Sequence, residues 1–185
     1  MRITGGNSRG RLLLSEKGLD IRPTSSKVRE AVFNIIGNDL SGMNVLDLFA
    51  GTGIMGLEAL SRNADFSLFV DNSDRALKLI NKNIETCGFS DSGFTIKKNL
   101  KEGLPLHDLL SGGNVDLIFM DPPYGKNLIP GILEAISLKG IMSSDAICVS
   151  ESMKEDELPY SSGDLRCIKS RVYGETKITF YCKEK

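Results

Sequence analysis

The chain has 185 residues, a quarter of them charged, and a net charge of −1, which is the profile of one ordinary globular domain. No apolar run approaches the length of a bilayer span. The opening MRITGGNSRG lacks the apolar stretch of a secretory leader, so a cytoplasmic protein is expected. The four cysteines (Cys87, Cys148, Cys167, Cys182) are far apart with no CxxC pair, a pattern of reduced core thiols rather than a zinc site. The single histidine, His107, reads as a loop or helix-end residue and not as a catalyst.

The small net charge hides a split. Residues 1–29 carry seven Lys/Arg against two acids, a net +5, and residues 163–185 carry six against three, a net +3. The middle therefore holds −9. Basic ends on an acidic body suggest that the ends meet a polyanion; for the C-terminal end, ordinary solvated charge serves equally well.

In chain order, Arg2–Gly5 and Arg11–Leu14 read as two short strands joined by the turn-rich Gly6-Asn7-Ser8. Their few apolar residues predict a small basic hairpin, an appendage to the core. Pro23 holds Arg22 extended, and Ser25 or Ser26 can cap a helix over Lys27–Ile36. That helix has an apolar stripe of Val28, Val32, Phe33, Ile35 and Ile36, with Arg29 and Glu30 off it. The division predicted is an arm over 1–29 and a core over 30–185.

Val45 to Ala59, VLDLFAGTGIMGLEA, organises the core. A β-branched apolar run breaks at Gly51-Thr52-Gly53 and resumes with Ile54, Leu57, Glu58 and Leu60 at helical spacing. A strand passing through a glycine turn into a helix opens a doubly wound α/β domain. Gly51 and Gly53 allow a sharp turn and close approach to a ligand. The run Gly51–Gly56 also fits the dinucleotide pattern G-x-G-x-x-G. However, Asp47 would repel a pyrophosphate and welcome a cationic ligand. A tight strand–helix turn with no ligand remains open at this point.

Phe66–Val70 predicts a second strand ending at Asp71, about 20 residues after Gly51, where an acid can accept from ribose hydroxyls. Ser73 serves nearby as a helix cap, so Asp71 is not needed for that role. A helix with Ala76, Leu77, Ile80 and Ile84 inside follows, closed by Gly88. Phe94–Lys97 is a third strand leading to Asn99, whose side chain can read an adenine edge. Val115–Met120 is a buried fourth strand. A helix over Leu128–Ser137, a strand over Ala146–Ser150, and a hairpin of Leu165–Val172 and Lys177–Cys182 about Gly174 complete the chain. The alternation predicts a mostly parallel, seven-stranded sheet with an antiparallel C-terminal hairpin.

Asp121-Pro122-Pro123-Tyr124 follows the buried fourth strand. Two prolines cannot donate ladder bonds, so the chain leaves the sheet there. Asp121 and the Pro122 carbonyl are adjacent acceptors, and Tyr124 is a flat face. Two acceptors and a stacking ring suit an exocyclic amine on a planar base; the alternative is a rigid turn with a solvated Asp.

Asp47-Leu48-Phe49-Ala50-Gly51-Thr52-Gly53 resembles the first motif of class I S-adenosylmethionine methyltransferases, and the Asp121 motif is similar to that of amino-group methyltransferases acting on adenine N6, cytosine N4 or guanine N2. Arg2-Ile3-Thr4-Gly5-Gly6, Arg9-Gly10-Arg11, Arg22-Pro23-Thr24, Val28-Arg29-Glu30-Ala31-Val32-Phe33-Asn34 and Gly56-Leu57-Glu58-Ala59 narrow it. With those two motifs they resemble the RsmD family of bacterial 16S rRNA guanine-N2 methyltransferases over essentially the whole chain. Thr52 stands where Ser also occurs in the family, and Tyr124 where Phe does.

The resemblance implies a class I Rossmann-like fold and S-adenosylmethionine as cofactor, held by Asp47, Ala50, Gly51, Thr52 and Gly53, with Asp71 on the ribose and Asn99 near the adenine. Asp121, Pro122 and Tyr124 would carry the chemistry, with no metal. Arg9, Arg11, Arg22, Thr24 and Arg29 would meet RNA. The implied partner is 16S rRNA or an assembling 30S particle, met by a monomer with no membrane role. The rival readings are a DNA adenine-N6 or cytosine-N4 methyltransferase, for which 185 residues leave little room for a target-recognition insert; an RNA-binding protein with a vestigial cofactor site; and a hydride-transferring Rossmann enzyme.

Overall fold

A computed structural model describes residues 1–15, 25–105 and 115–184. His107, Arg22, Pro23 and Thr24 lie outside the described residues. In chain order the elements are α1 (Ser26–Ile36), β1 (Asn44–Leu48), α2 (Ile54–Ser61), β2 (Phe66–Asp71), α3 (Asp74–Cys87) and β3 (Gly93–Lys97). They continue with β4 (Val115–Met120), α4 (Ile129–Lys139), β5 (Met142–Met153), β6 (Ser161–Ser162), β7 (Leu165–Tyr173) and β8 (Thr176–Lys183). One sheet runs β3-β2-β1-β4-β5-β8-β7-β6. The strands from β3 to β5 are parallel, and β8, β7 and β6 are antiparallel. The expected seven strands gain an eighth, the two-residue β6, and β5 extends beyond the expected Ala146–Ser150 at both ends.

Strand order reverses between β1 and β4, because β2 and β3 follow β1 outward on one side and β4 returns on the other. In open α/β sheets ligands bind beyond the strand carboxyl ends at such a reversal. The parallel strands are buried on both faces. Val45, Phe69, Leu117, Phe119 and Val149 point to one core with α1, α2 and α3. Leu46, Leu48, Leu68, Ile118 and Met120 point to the other, which includes Ile132, Leu133 and Ile136 of α4. Period-two alternation thus fixes which side chains reach each face.

Local chemistry sets the helix ends. Ser25 caps α1, its Oγ accepting the Val28 N–H at 3.3 Å, and Ser73 caps α3 by accepting the Ala76 N–H at 3.3 Å. Each such cap is worth about 1 kcal/mol. Gly53 begins α2 in the left-handed region at φ 75°. Three residues on, a Cβ on Gly56 would collide with the Phe69 ring and the Ser67 hydroxyl, so glycine lets α2 lie tight on the sheet.

The N-terminal arm differs from expectation. Among the described residues its strands form one antiparallel bridge, Arg2 with Leu12. Ile3 and Leu13 are fully buried in the core of α1–α3, so the arm is docked rather than an appendage. Polar groups of the body complete the docking. Glu58 accepts from the Thr4 N–H at 2.6 Å and the Thr4 hydroxyl at 2.9 Å. The Ser61 hydroxyl donates to the Gly5 carbonyl at 2.7 Å. Asn83 accepts the Leu14 N–H at 2.8 Å and donates back to the Leu14 carbonyl at 3.2 Å, standing in for a neighbouring strand. Ile3 stands alone among polar residues and Leu13 in the run Leu12-Leu13-Leu14; neither stretch shows a periodicity that singles out the buried residue.

Candidate active site

A cleft of about 460 Å³ lies at the β1–β4 reversal. The turn after β1 forms one wall through Asp47, Ala50, Gly51 and Thr52, and Asp71 and Asn99 add a second side. Asp121, Pro122 and Tyr124 close the third. Residues from four separate stretches of the sequence thus meet in one cavity.

Carboxylates near the ends of β1 and β2 accept backbone N–H groups around the glycine turn. Asp47 Oδ2 accepts the Gly56 N–H at 3.0 Å from the first turn of α2. Asp71 Oδ2 accepts the Gly51 N–H at 2.9 Å, and its Oδ1 accepts the Ser73 N–H at 2.9 Å. Asp71 therefore fixes the glycine turn, a role beside the ribose contact expected of it. Asn99 caps a single 3₁₀ turn by accepting the Lys101 N–H at 3.2 Å and donates to Glu102 at 2.8 Å. Asn99 lies on the wall, and its side chain has this structural role besides the adenine contact expected of it.

Gly53 has a structural role besides the ligand contact expected of it. A Cβ there would stand 3.2 Å from Ile80 and 3.4 Å from Phe69, so its glycine serves the left-handed turn and the packing of α2. Phe49, which had no signal in the sequence, does line the cleft. It takes φ 60°, uncommon for a bulky residue and a form of strain often held at functional sites. Lys98, Lys101 and Lys126 also stand on the wall.

The shifted carboxyls of the cleft all move the same way. Burial pushes the Asp47 carboxyl up to about 8, against the Gly56 N–H and with help from Asp71. Burial raises Asp121 well above the usual carboxylate range, and Glu151 and Asp47 raise it further. The Tyr124 phenol is pushed up to about 12 by burial and then by Glu151 and Asp121. Its hydroxyl donates to Glu151 Oε1 at 3.1 Å. Strand register explains the grouping. Asp47 pairs with Phe119 on β4, and Phe119 with Val149 on β5. Two residues further on, Asp121 and Glu151 follow side by side on the same face. Glu151 was missed because the expected strand ended at Ser150, whereas β5 runs on to Met153.

The residues assigned to RNA separate. Arg9 and Arg11 are exposed on the arm, with Arg11 Nη1 donating to the Thr86 carbonyl at 2.7 Å. Arg29 is a correction: it lies on the buried side of α1 and pairs with Glu58 at 3.4 Å. Its Nη2 donates to the Arg2 carbonyl at 2.9 Å. Burial lowers its pKa and Glu58 opposes this. A guanidinium held inside cannot reach a phosphate, so Arg29 anchors the arm. Arg22 and Thr24 lie outside the described residues.

Among the described residues no helix is long and apolar enough to cross a membrane. A cleft with a buried acid beside a glycine turn, and an Asp-Pro-Pro-Tyr loop facing it, suits a cationic methyl donor and an amine acceptor.

A family model described as "Conserved hypothetical protein 95" matches residues 1–182. The "Putative rRNA methyltransferase YlbH" of Bacillus subtilis is 34% identical over 183 residues, covering 99% of both chains. The "Ribosomal RNA small subunit methyltransferase D" of Escherichia coli K12 is 28% identical over 184 residues, covering 100% of this chain and 90% of its own. The solved "Putative methyltransferase yhhF from Escherichia coli" superposes with a TM-score of 0.84 at 28% identity, covering 100% and 98%. With the cleft geometry and a family match over nearly its whole length, this chain is a class I S-adenosylmethionine-dependent methyltransferase and belongs to the RsmD family.

Proposed function

We propose that this protein methylates the exocyclic N2 amine of a guanine in small-subunit rRNA. The observation that carries the reading is the placement of Asp121 and Pro122 on the same cleft as Asp47 and the Gly51 turn. Relatives named as rRNA methyltransferases, matched over 99% and 90% of their own length, support RNA as the substrate class.

S-adenosylmethionine supplies an electrophilic methyl group on a sulfonium. Asp47, Ala50, Gly51, Thr52, Asp71 and Asn99 line the part of the cleft suited to hold it. A guanine N2 lone pair is delocalised into the ring and is a poor nucleophile. Hydrogen bonds from the amine to Asp121 and the Pro122 carbonyl localise that pair as the nitrogen pyramidalises. They strengthen in the transition state, which is where they accelerate the reaction. Tyr124 gives the extruded base a stacking face, worth roughly 1–3 kcal/mol. The nitrogen must then shed one proton, and an ionised Asp121, whose proton affinity burial has raised, takes it readily.

The basic arm, with Arg9 and Arg11 exposed, serves RNA phosphates. Arg22 and Thr24, which follow it in sequence, complete the proposed RNA contact. A single copy suffices for this arrangement.

The test is methylation of small-subunit rRNA and of 30S particles with labelled S-adenosylmethionine, followed by nucleoside analysis. N2-methylguanosine is expected, and comparison of the two substrates decides whether naked RNA or the particle is preferred. Label in N6-methyladenosine or N4-methylcytidine, or no label in either substrate, would overturn the reading.

A further inference from the structure

In the sequence, the net +3 of residues 163–185 fits a polyanion contact and ordinary solvated charge equally well. The structure separates the cations that make it up. Arg166 pairs with Glu184 at 2.9 Å. Lys183 lies 4.0 Å from Asp164 and donates to the Met142 carbonyl at 2.6 Å. Lys177 donates to the Asp156 carbonyl. Lys169 and Arg171 differ. Among the described residues neither forms an ion pair, and the Arg171 guanidinium donates to the carbonyl of its own neighbour, Ser170, at 3.2 Å. Arg171 is exposed and Lys169 half-buried.

Register fixes where these two stand. One cross-strand row runs Asp47, Phe119, Val149, Phe180, Lys169, from β1 through β4, β5 and β8 to β7. Two residues on, a row on the same face runs Glu151, Ile178, Arg171. Directly opposite residues share a face, and Val149, Ile178 and Phe180 belong to the core of α1–α3. Lys169 and Arg171 therefore stand on the face of Asp47, Asp121 and Glu151. β5 and β7 are each antiparallel to β8, so they run the same way. Arg171 thus lies toward the end of the sheet where the cleft opens, and Arg166, at the start of β7, toward the other. At a strand spacing of about 4.8 Å, the Arg171 backbone is roughly 10 Å from that of Glu151. The arm buries Ile3 and Leu13 in the same core, so both basic ends of the chain sit on one side of the sheet.

We propose that Lys169 and Arg171 form a phosphate-binding strip that holds the RNA strand beside the target nucleotide, a contact separate from that of the arm. This rests on the RNA reading proposed above. Positive charge that no acid of the chain neutralises, beside an acidic cleft, attracts a polyanion to that edge of the site. Phosphate contacts carry no sequence information but set register and orientation, so the strip holds the strand with its extruded base toward Asp121.

The test measures binding of small-subunit rRNA over a range of salt concentrations. In the double variant Lys169→Gln, Arg171→Gln the log–log slope is expected to be shallower by about 1.4, and affinity at about 0.1 M salt to fall roughly 25-fold, from two single-strand contacts. The KM for RNA rises with it, and S-adenosylmethionine affinity is kept. Exchanging the two cations, as Lys169→Arg with Arg171→Lys, restores the slope. Arg166→Gln, which removes a paired cation at the other end of the same strand, leaves the slope as in wild type. An unchanged slope in the double variant would reduce the two residues to solvated charge and overturn the inference. Equal flattening by Arg166→Gln would overturn it too, since net charge and not position would then be read. If the double variant does not fold, the single variants decide on the same terms, each expected to flatten the slope by about 0.7. Wild type that does not bind the RNA, or binds it with no salt dependence, would instead remove the RNA reading itself and the inference with it.

Discussion

The molecule buries two charged groups on one side of its sheet, and they are built in opposite ways. Arg29, Glu58 and Arg62 sit between α1, α2 and the arm, with Glu58 fully buried and each arginine 3% exposed. There a carboxylate is flanked by two guanidinium groups and two donors of Thr4, and Arg62 also lies 4.1 Å over the Phe33 ring. At the cleft, Asp47, Asp121 and Glu151 stand on neighbouring strands, and the charges that act on Asp121 all raise its proton affinity. The first group brings opposite charges together and holds the arm down. The second brings like charges together, and each raises the proton affinity of its neighbour. Paired opposite charges mark structure here, and crowded like charges mark the candidate reaction site.

The largest effect is expected in the ion-paired group. Glu58→Ala removes the carboxylate partner of two buried guanidinium groups, and breaking a buried pair from one side costs about 3–5 kcal/mol. Chemical denaturation should show that loss, along with release of the arm to proteolysis. A loss below about 1 kcal/mol would mean that Glu58 does not hold the arm as described.

Next comes the reacting end of the other group. Asp121→Ala should slow methyl transfer by about 10²–10³-fold, by analogy with removal of one transition-state hydrogen-bond partner, and leave S-adenosylmethionine affinity within a few fold. Single-turnover kinetics and equilibrium dialysis separate the two. Transfer near the wild-type rate would remove Asp121 from the chemistry.

The smallest of the three lies on the arm. Replacing Arg9 and Arg11 with Ala should flatten the salt dependence of RNA binding by about 0.7 per lost phosphate contact on a single strand, with cofactor affinity unchanged. An unchanged slope would leave the arm as a purely structural element docked by Glu58 and Asn83, with RNA recognition placed elsewhere.

The same contrast explains what the sequence could reveal. The β1 run, the glycine turn and the Asp-Pro-Pro-Tyr loop were legible because each depends on neighbours in sequence: a β-branched strand, residues without Cβ, and prolines that end a ladder. Asp47, Asp71 and Asp121 were recognisable because each sits at a strand end. Arg29 was misplaced because its partner is 29 positions away, and a charged residue next to an apolar stripe reads as surface. The packing role of Gly53 was hidden behind its expected ligand role, because the same lack of a Cβ serves both. Glu151 was invisible because its meaning comes from register across β4 and β5, which no local pattern encodes.

The central claim, that the acidic group is completed by its ligand, can be read directly as a proton. In the empty protein Asp47 titrates near 8, against about 3.9 in an unfolded chain. Its contribution to stability is thus full below about pH 3.9 and is lost as pH rises toward about 8. A sulfonium beside it favours the ionised form, so cofactor affinity should rise with pH up to about 8 and fall by up to tenfold per unit below it. Calorimetric titration of S-adenosylmethionine at about pH 6.5, in buffers of different ionisation enthalpy, counts the proton. The account predicts release of about one proton by the wild type and markedly less by Asp47→Asn; no release by the wild type, or equal release by both, would contradict it.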